Sequence, residues 1–216
     1  NGVQGVSVAP VDVEAGQTYT LKEASAGGTV LADYDKSATC TAADGSTVAT
    51  SGSDGTWSVT IPEGAIQAIS CEIKNVAPPS ITVTKTLSGG RAAASDQFTV
   101  QLRTGGDTGT VLDTPGNDTT EGVGTEVSAG TGTTGKVTAT AGTAYTITEA
   151  AAIAGVDFSK YSSTVTCTDA TGTQSGLPNK TALASGVTVT PEPGAQISCV
   201  LNNAKTGSIG VGEGLT

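Results

Sequence analysis

The sequence predicts an all-β chain built from tandem antiparallel β-sandwich domains. Three observations lead there. Apolar and polar residues alternate over short runs, as at Ile81, Val83 and at Phe98, Val100, Leu102, the period-two signature of half-buried strands. Thirty glycines and abundant threonines suit short strands joined by turns. The chain also repeats itself. Tyr19-Thr20-Leu21-Lys22-Glu23-Ala24 returns as Tyr145-Thr146-Ile147-Thr148-Glu149-Ala150, Tyr34 and Cys40 return as Tyr161 and Cys167, and Cys71 and Asn75 return as Cys199 and Asn203. The offset drifts only from 126 to 128, so one repeat has the size of an ordinary domain.

The phase of the repeat divides the chain into residues 1–77, 78–204 and 205–216. Residues 1–77 read as an incomplete first repeat that lacks its opening strands. Residues 78–204 read as a complete second repeat, introduced by the Val76-Ala77-Pro78-Pro79 linker, whose proline pair favours a short extended connection. The tail Ser208-Ile209-Gly210-Val211-Gly212-Glu213-Gly214-Leu215 aligns with Ser80-Ile81-Thr82-Val83-Thr84-Lys85-Thr86-Leu87. It resembles the first strand of a further repeat, with Glu213 where Lys85 stands.

Within the complete repeat, Ile81, Val83, Lys85 and Leu87 define the first strand, and Phe98, Val100 and Leu102 the second. Residues 104–135, rich in Gly, Thr and Asp, form a long loop or excursion with weak strands around Val111-Leu112. Val137 and Ala139 mark another strand, then Tyr145, Ile147 and Glu149. Tyr161 leads into Val165 and Cys167. Val187 and Val189 precede the closing strand, Ile197 to Asn203. About seven such strands suggest a sandwich, and no segment carries a helical period. Asp44-Gly45 and Asp54-Gly55 are read as hairpin turns rather than calcium loops. Trp57 is expected to pack on a sheet.

Bulk properties narrow the function. The net charge is −10, with 20 acidic against 10 basic residues, so little could neutralise phosphates and nucleic-acid binding is not expected. No run of about 18 apolar residues is present, so no membrane-spanning segment is expected. The chain starts without Met and reads as processed or as a fragment. Four cysteines, two per repeat in matching places, read as the disulfides Cys40–Cys71 and Cys167–Cys199, formed in an oxidising compartment. Metal binding is the rival, but there is no Cys-x-x-Cys spacing and no histidine; neither a metal nor a cofactor is expected. Bridging Cys167 to Cys199 closes a loop of about 32 residues, contributing on the order of 3–4 kcal/mol in the chain-entropy model.

Three polar residues stand on faces that are otherwise apolar. Lys85 follows Ile81 and Val83, Glu149 follows Tyr145 and Ile147, and Asn203 follows Ile197 and Leu201. Burying any of them alone is costly. Together they satisfy one another, and they can react. A desolvated lysine becomes a neutral nucleophile. A desolvated, protonated glutamate polarises the Asn carbonyl and shuttles protons. The product is a Lys–Asn amide with loss of ammonia. The blander alternative has Lys85 reaching solvent, Asn203 capping a turn and Glu149 at a strand end.

The lysine on the first strand, the Tyr-x-Leu/Ile-x-Glu strand and the closing-strand asparagine resemble the collagen-adhesin B-type domain, also called the prealbumin-like or pilin B-type domain of bacterial surface proteins. The likeness covers residues 80–204 and part of 1–77. It implies an immunoglobulin-like sandwich, tandem repetition on stalks or pili at the bacterial cell surface, and an intramolecular isopeptide bond. By that resemblance Lys85 and Asn203 are the bonded pair and Glu149 the catalyst. The inward-facing disulfide departs from the family's habit. The first repeat keeps Glu23 and Asn75 without a lysine strand.

These readings make the chain an extracellular, non-enzymatic structural segment whose only chemistry is one self-modifying turnover. Its partners are neighbouring repeats or further copies in a filament. Assembly could run head to tail by β-strand addition, with Ile209, Val211 and Leu215 as the donated face. A ligand-binding adhesin module acting through loop 104–135 is the alternative.

Overall fold

The computed structural model describes residues 7–28, 30–64 and 68–207. The donor-tail residues Ile209, Val211 and Leu215 lie outside them. The chain divides into two compact units, Asn1–Pro78 and Pro79–Thr216.

Unit 1 holds β1 (Thr18–Lys22), β2 (Asp35–Ala42), β3 (Thr47–Val48), β4 (Thr50–Ser53), β5 (Thr56–Thr60) and β6 (Ile69–Val76). They form two three-stranded sheets, β1-β5-β4 and β3-β2-β6. Asp54 and Gly55 make the β4–β5 turn with φ of 53° and 88°, the left-handed pair that a tight hairpin needs. Trp57 is buried on β5, opposite Leu21. The core is small: Cys40, Val48 and Val59, with Tyr19, Leu21, Ala42, Ile69 and Cys71 only partly buried against them.

Unit 2 holds β7 (Ser80–Ser88), β8 (Phe98–Thr104), β9 (Thr110–Val111), β10 (Asn117–Thr119), β11 (Val137–Thr138), β12 (Tyr145–Ala151), β13 (Tyr161–Asp169), β14 (Thr181–Ala182), β15 (Val187–Val189) and β16 (Gln196–Lys205). One sheet runs β10-β8-β12-β15, with β9 also on β8; the other runs β11-β7-β16-β13-β14. The alternation forecasts the core. Ile81, Val83, Val165, Ile197 and Leu201 from one sheet meet Val100, Leu102, Ile147, Val187 and Val189 from the other, all buried.

Every described pairing is antiparallel except one. The first strand β7 lies parallel to the last strand β16, with Ile81 opposite Ile197, Val83 opposite Cys199 and Lys85 opposite Leu201. A parallel neighbour requires a long crossover, and here almost the whole domain intervenes. The two ends of the repeat are thereby zipped side by side.

The excursion 104–135 is not loose. Thr120 and Thr134 are each 1% exposed. Arg91, also buried, donates to the carbonyls of Asp96, Glu121 and Glu126, which ties the start of the excursion's second half to the β7–β8 connection. Asp96 in turn accepts from the Tyr161 hydroxyl, and burial pushes that phenol up to about 12.

Candidate functional site

The shared motifs of the two repeats fall on matching strands, β1 with β12, β2 with β13 and β6 with β16. The hydroxyl of Tyr145 accepts from the backbone of Thr140, five residues upstream, and that of Tyr19 accepts from Glu14, also five upstream. The disulfides occupy equivalent places. Cys167 faces Cys199 across β13–β16 with S–S 2.07 Å, and Cys40 faces Cys71 across β2–β6 with S–S 2.02 Å. No free cysteine is found among the described residues. These residues also hold no cluster of three or more His, Cys, Asp or Glu suited to a metal, and no helix long and apolar enough to cross a membrane.

Lys85, Glu149 and Asn203 come together inside unit 2. Alternation along β7 turns Lys85 inward with Ile81 and Val83, leaving it 2% exposed. Alternation along β16 turns Asn203 inward with Leu201, at 0%. Glu149 reaches across from the opposite sheet on β12. Lys85 Nζ lies 3.2 Å from Glu149 Oε1. Asn203 Nδ2 donates to Glu149 Oε1 at 3.0 Å and to Oε2 at 3.1 Å. One carboxylate oxygen thus bridges the lysine nitrogen and the asparagine amide nitrogen. Lys85 Nζ also donates to the carbonyls of Thr86 and Leu201, at 3.2 and 3.4 Å. Asn203 Oδ1 is buried without a donor. The three residues are neither at solvent nor at a turn.

Burial sets the electrostatics. It pulls the Lys85 ammonium down from 10.5 to about 8, against the opposing pull of Glu149. It also pushes the Glu149 carboxyl up, opposed by Lys85 and by the Asn203 hydrogen bond. Both shifts favour the neutral forms.

The sequence gives no sign of the part that several other residues play at the site. Phe98, fully buried on β8, sets its ring centroid 5.1 Å from Lys85 Nζ and stacks edge-on against Tyr161. It shields the ammonium while attracting it. Residues 132–134 continue along β7 beyond β11, on the side away from β16. Lys85 N donates to Gly132 O at 2.7 Å, Thr134 N to Val83 O at 2.9 Å, and Val83 N to Thr134 Oγ1 at 2.9 Å. Gly132 has φ of 65°, and a Cβ there would stand 2.7 Å from Thr120 Cγ2 and 3.2 Å from Lys85 Cβ. Residues 132–134 therefore cover the backbone and the base of the lysine side chain. The Gly/Thr-rich sequence of the excursion has no period, so only the long-range pairing reveals this.

In unit 1 the same motif residues sit differently. Asn75 Nδ2 donates to Glu23 Oε1, but Asn75 is exposed. Glu23 Oε2 is buried with no partner. Lys36 stands opposite Asn75 on β2, where unit 2 has Ser163 opposite Asn203. Its ammonium is taken up by the carbonyls of Leu31 and Tyr34, at 2.8 and 3.1 Å.

Solved structures with some likeness include a mutant of the major pilin from Streptococcus pyogenes, at 17% identity over 90% of this chain and 72% of that one, TM-score 0.34. A second is a bacterial adhesin from Mobiluncus mulieris, described as containing intramolecular disulfide, isopeptide and ester bond cross-links, at 12% identity over 90% and 87%, TM-score 0.35. A third is the group B streptococcus pilus 2b backbone protein, at 13% identity over 87% and 91%, TM-score 0.30. No curated protein matches the chain. The model of one domain family matches residues 1–77 and again 80–205, nearly all of both repeats, and the chain belongs to that family, the prealbumin-like fold domain.

Proposed function

We propose that this chain is a load-bearing segment of an extracellular bacterial surface fibre, and that its second repeat, residues 78–204, locks itself with an amide between Lys85 and Asn203. The observation that carries this is the buried Lys85–Glu149–Asn203 cluster, with one carboxylate oxygen between the attacking and leaving nitrogens. Neutral Lys85 Nζ attacks Cγ of Asn203. Glu149 takes the proton that Nζ sheds and delivers it to Nδ2. The Cγ–Nδ2 bond breaks, ammonia leaves and the Nζ–Cγ amide remains. With the Asn203 amide turned half a revolution, a protonated Glu149 instead donates to Oδ1 and polarises the carbonyl. Phe98 and residues 132–134 keep out the water that would compete.

The amide and the disulfide serve one mechanical purpose. Force on a fibre pulls the first and last strands of each repeat. These two strands are neighbours in unit 2, and the amide ties them directly. Cys167–Cys199 ties the last strand to β13. Two paired cysteines per repeat also fit an oxidising, extracellular setting.

Intact mass of the non-reduced chain tests the proposal. The expected deficit is about 2 Da per disulfide and about 17 Da for the amide. The 17 Da part should vanish in Lys85→Ala and Glu149→Ala while the disulfide part stays. A wild-type mass lacking the 17 Da deficit sinks the cross-link.

Among the described residues, β6 of unit 1 pairs only with β2 and β1 only with β5, which supports assembly by strand addition. The tail 205–216, through Ile209, Val211 and Leu215, is one donor with the right alternation. Native sizing over a concentration range separates the cases: higher oligomers support head-to-tail addition, and monomer alone at high concentration removes it.

A further inference from the structure

We infer that Arg91 is a positioning residue for Lys85: it clamps the connection before β8 to the excursion and so holds the Phe98 ring against the lysine amine. The inference rests on the proposed amide, which gives the placement of that amine its consequence.

The clamp is built on neutral acceptors. Arg91 is 5% exposed. Its Nε donates to Asp96 O at 2.7 Å and its Nη2 to Gln97 Oε1 at 3.3 Å. The same guanidinium donates across to the excursion, to Glu121 O at 3.1 Å, to Gly124 O at 3.4 Å and to Glu126 O. All five acceptors are carbonyl or side-chain amide oxygens. A planar fork with five N–H donors reaches them together, whereas an ammonium carries three donors at one point.

Both gripped segments lead to Phe98. Asp96 and Gln97 are the two residues before it in the chain. Glu121 follows Thr120, whose N donates to Phe98 O at 2.9 Å and whose Oγ1 accepts from Phe98 N at 2.9 Å. Thr120 Oγ1 in turn donates to Gln97 Oε1 at 2.7 Å, the oxygen that Arg91 also holds. A third arm comes from β13. The Tyr161 hydroxyl donates to Asp96 Oδ2 and accepts from Ala92 N, next to Arg91. Its ring meets Phe98 edge-on, with centroids 5.2 Å apart. Phe98 is thus fixed in backbone and ring, and it presents the ring 5.1 Å from Lys85 Nζ. There the ring displaces water and draws the amine to its face. Arg91 acts on the lysine through Phe98.

Two readouts in the full chain test this. The first is the rate at which the deficit of about 17 Da appears after refolding. The second is acetylation of Lys85 in Asn203→Ala, which cannot form the amide, located by peptide mass. Arg91→Lys should slow the first at least about tenfold, as for a misplaced reacting group, and speed the second about tenfold through local opening. Tyr161→Phe keeps the ring and loses the hydroxyl, and should shift both by about fivefold, the scale of one hydrogen bond. Val189→Ala, a core truncation on β15, should lower the melting temperature yet leave both within about twofold. Either readout left unchanged by Arg91→Lys, or shifted as far by Val189→Ala, overturns the role. If Arg91→Lys does not fold, Tyr161→Phe decides by the same readouts. A wild-type chain with no deficit removes the amide, and acetylation then decides the role of Arg91 alone.

Discussion

Units 1 and 2 carry the same motif residues and the same disulfide, yet differ in what those residues can do. Glu149 and Asn203 lie in a closed interior with a lysine on the same carboxylate, whereas Asn75 is exposed and Glu23 keeps one oxygen unpartnered. The glutamate–asparagine pair is therefore not the site. The site is made by the first strand, which delivers the lysine, and by the second strand and the excursion, which exclude water. The motif is shared by the two repeats, but only unit 2 brings a buried lysine to it.

The disulfides offer the largest test of this difference. They close loops of nearly equal span, 31 and 32 residues, so each should contribute on the order of 3–4 kcal/mol in the chain-entropy model. The consequences should be unequal. Unit 2 has a two-sheet core of seventeen buried residues, and unit 1 has three in its cluster. Replacing Cys40 and Cys71 by Ala should unfold unit 1 at room temperature, because three-stranded sheets with so small a core have little else to hold them. Replacing Cys167 and Cys199 by Ala should lower the melting temperature of unit 2 without unfolding it. Trp57 is the only tryptophan and reports unit 1 alone. An unchanged Trp57 emission spectrum in the Cys40/Cys71 variant would show that unit 1 does not depend on its staple.

Protonation separates the units next. In Asn203→Ala, which cannot form the amide, Lys85 remains a buried titrating amine. Its folded pKa is near 8, below the ordinary 10.5, so the unfolded chain binds more protons between those values. Stability of unit 2 should therefore rise with pH across that window, by about 3 kcal/mol at most. Lys85→Met in the same background should flatten the rise. Glu149 acts in the opposite sense at lower pH. Its raised carboxyl contributes stability while protonated and loses it as pH climbs through the folded value. Calorimetric unfolding of the two variants from pH 7 to 10 checks the sign, and parallel curves would rule out a buried Lys85.

How far the sequence could be read follows from the same contrast. Alternation located the core strands, because a two-residue period survives in Ile81-Val83-Lys85 and Ile197-Cys199-Leu201 without knowledge of partners. Cys167 and Cys199 were legible because both fall on inward positions of such strands. The three polar intruders on apolar faces were legible for the same reason. The parallel pairing of first and last strand was not, since it joins residues more than a hundred positions apart and leaves no local mark. Arg91 and Thr134 were equally hidden. Both lie in Gly/Thr/Ala-rich sequence, and their burial comes from contacts to carbonyls and strand edges that only the fold supplies.

Gly132 gives the smallest and most local test. Its carbonyl receives Lys85 N, and its positive φ and missing Cβ let the excursion lie against Lys85 and Thr120. Gly132→Ala brings a Cβ to 2.7 Å from Thr120 Cγ2 and 3.2 Å from Lys85 Cβ, in a backbone conformation that costs a non-glycine residue about 1–2 kcal/mol. The edge of β7 should lift locally and admit water to the lysine while the sandwich stays folded. Amide formation in freshly refolded chain, followed by mass, should then slow, and the melting temperature should fall by only a few degrees. An unchanged rate would mean that the excursion does not seal the site, and that burial by β8 and β16 alone is enough.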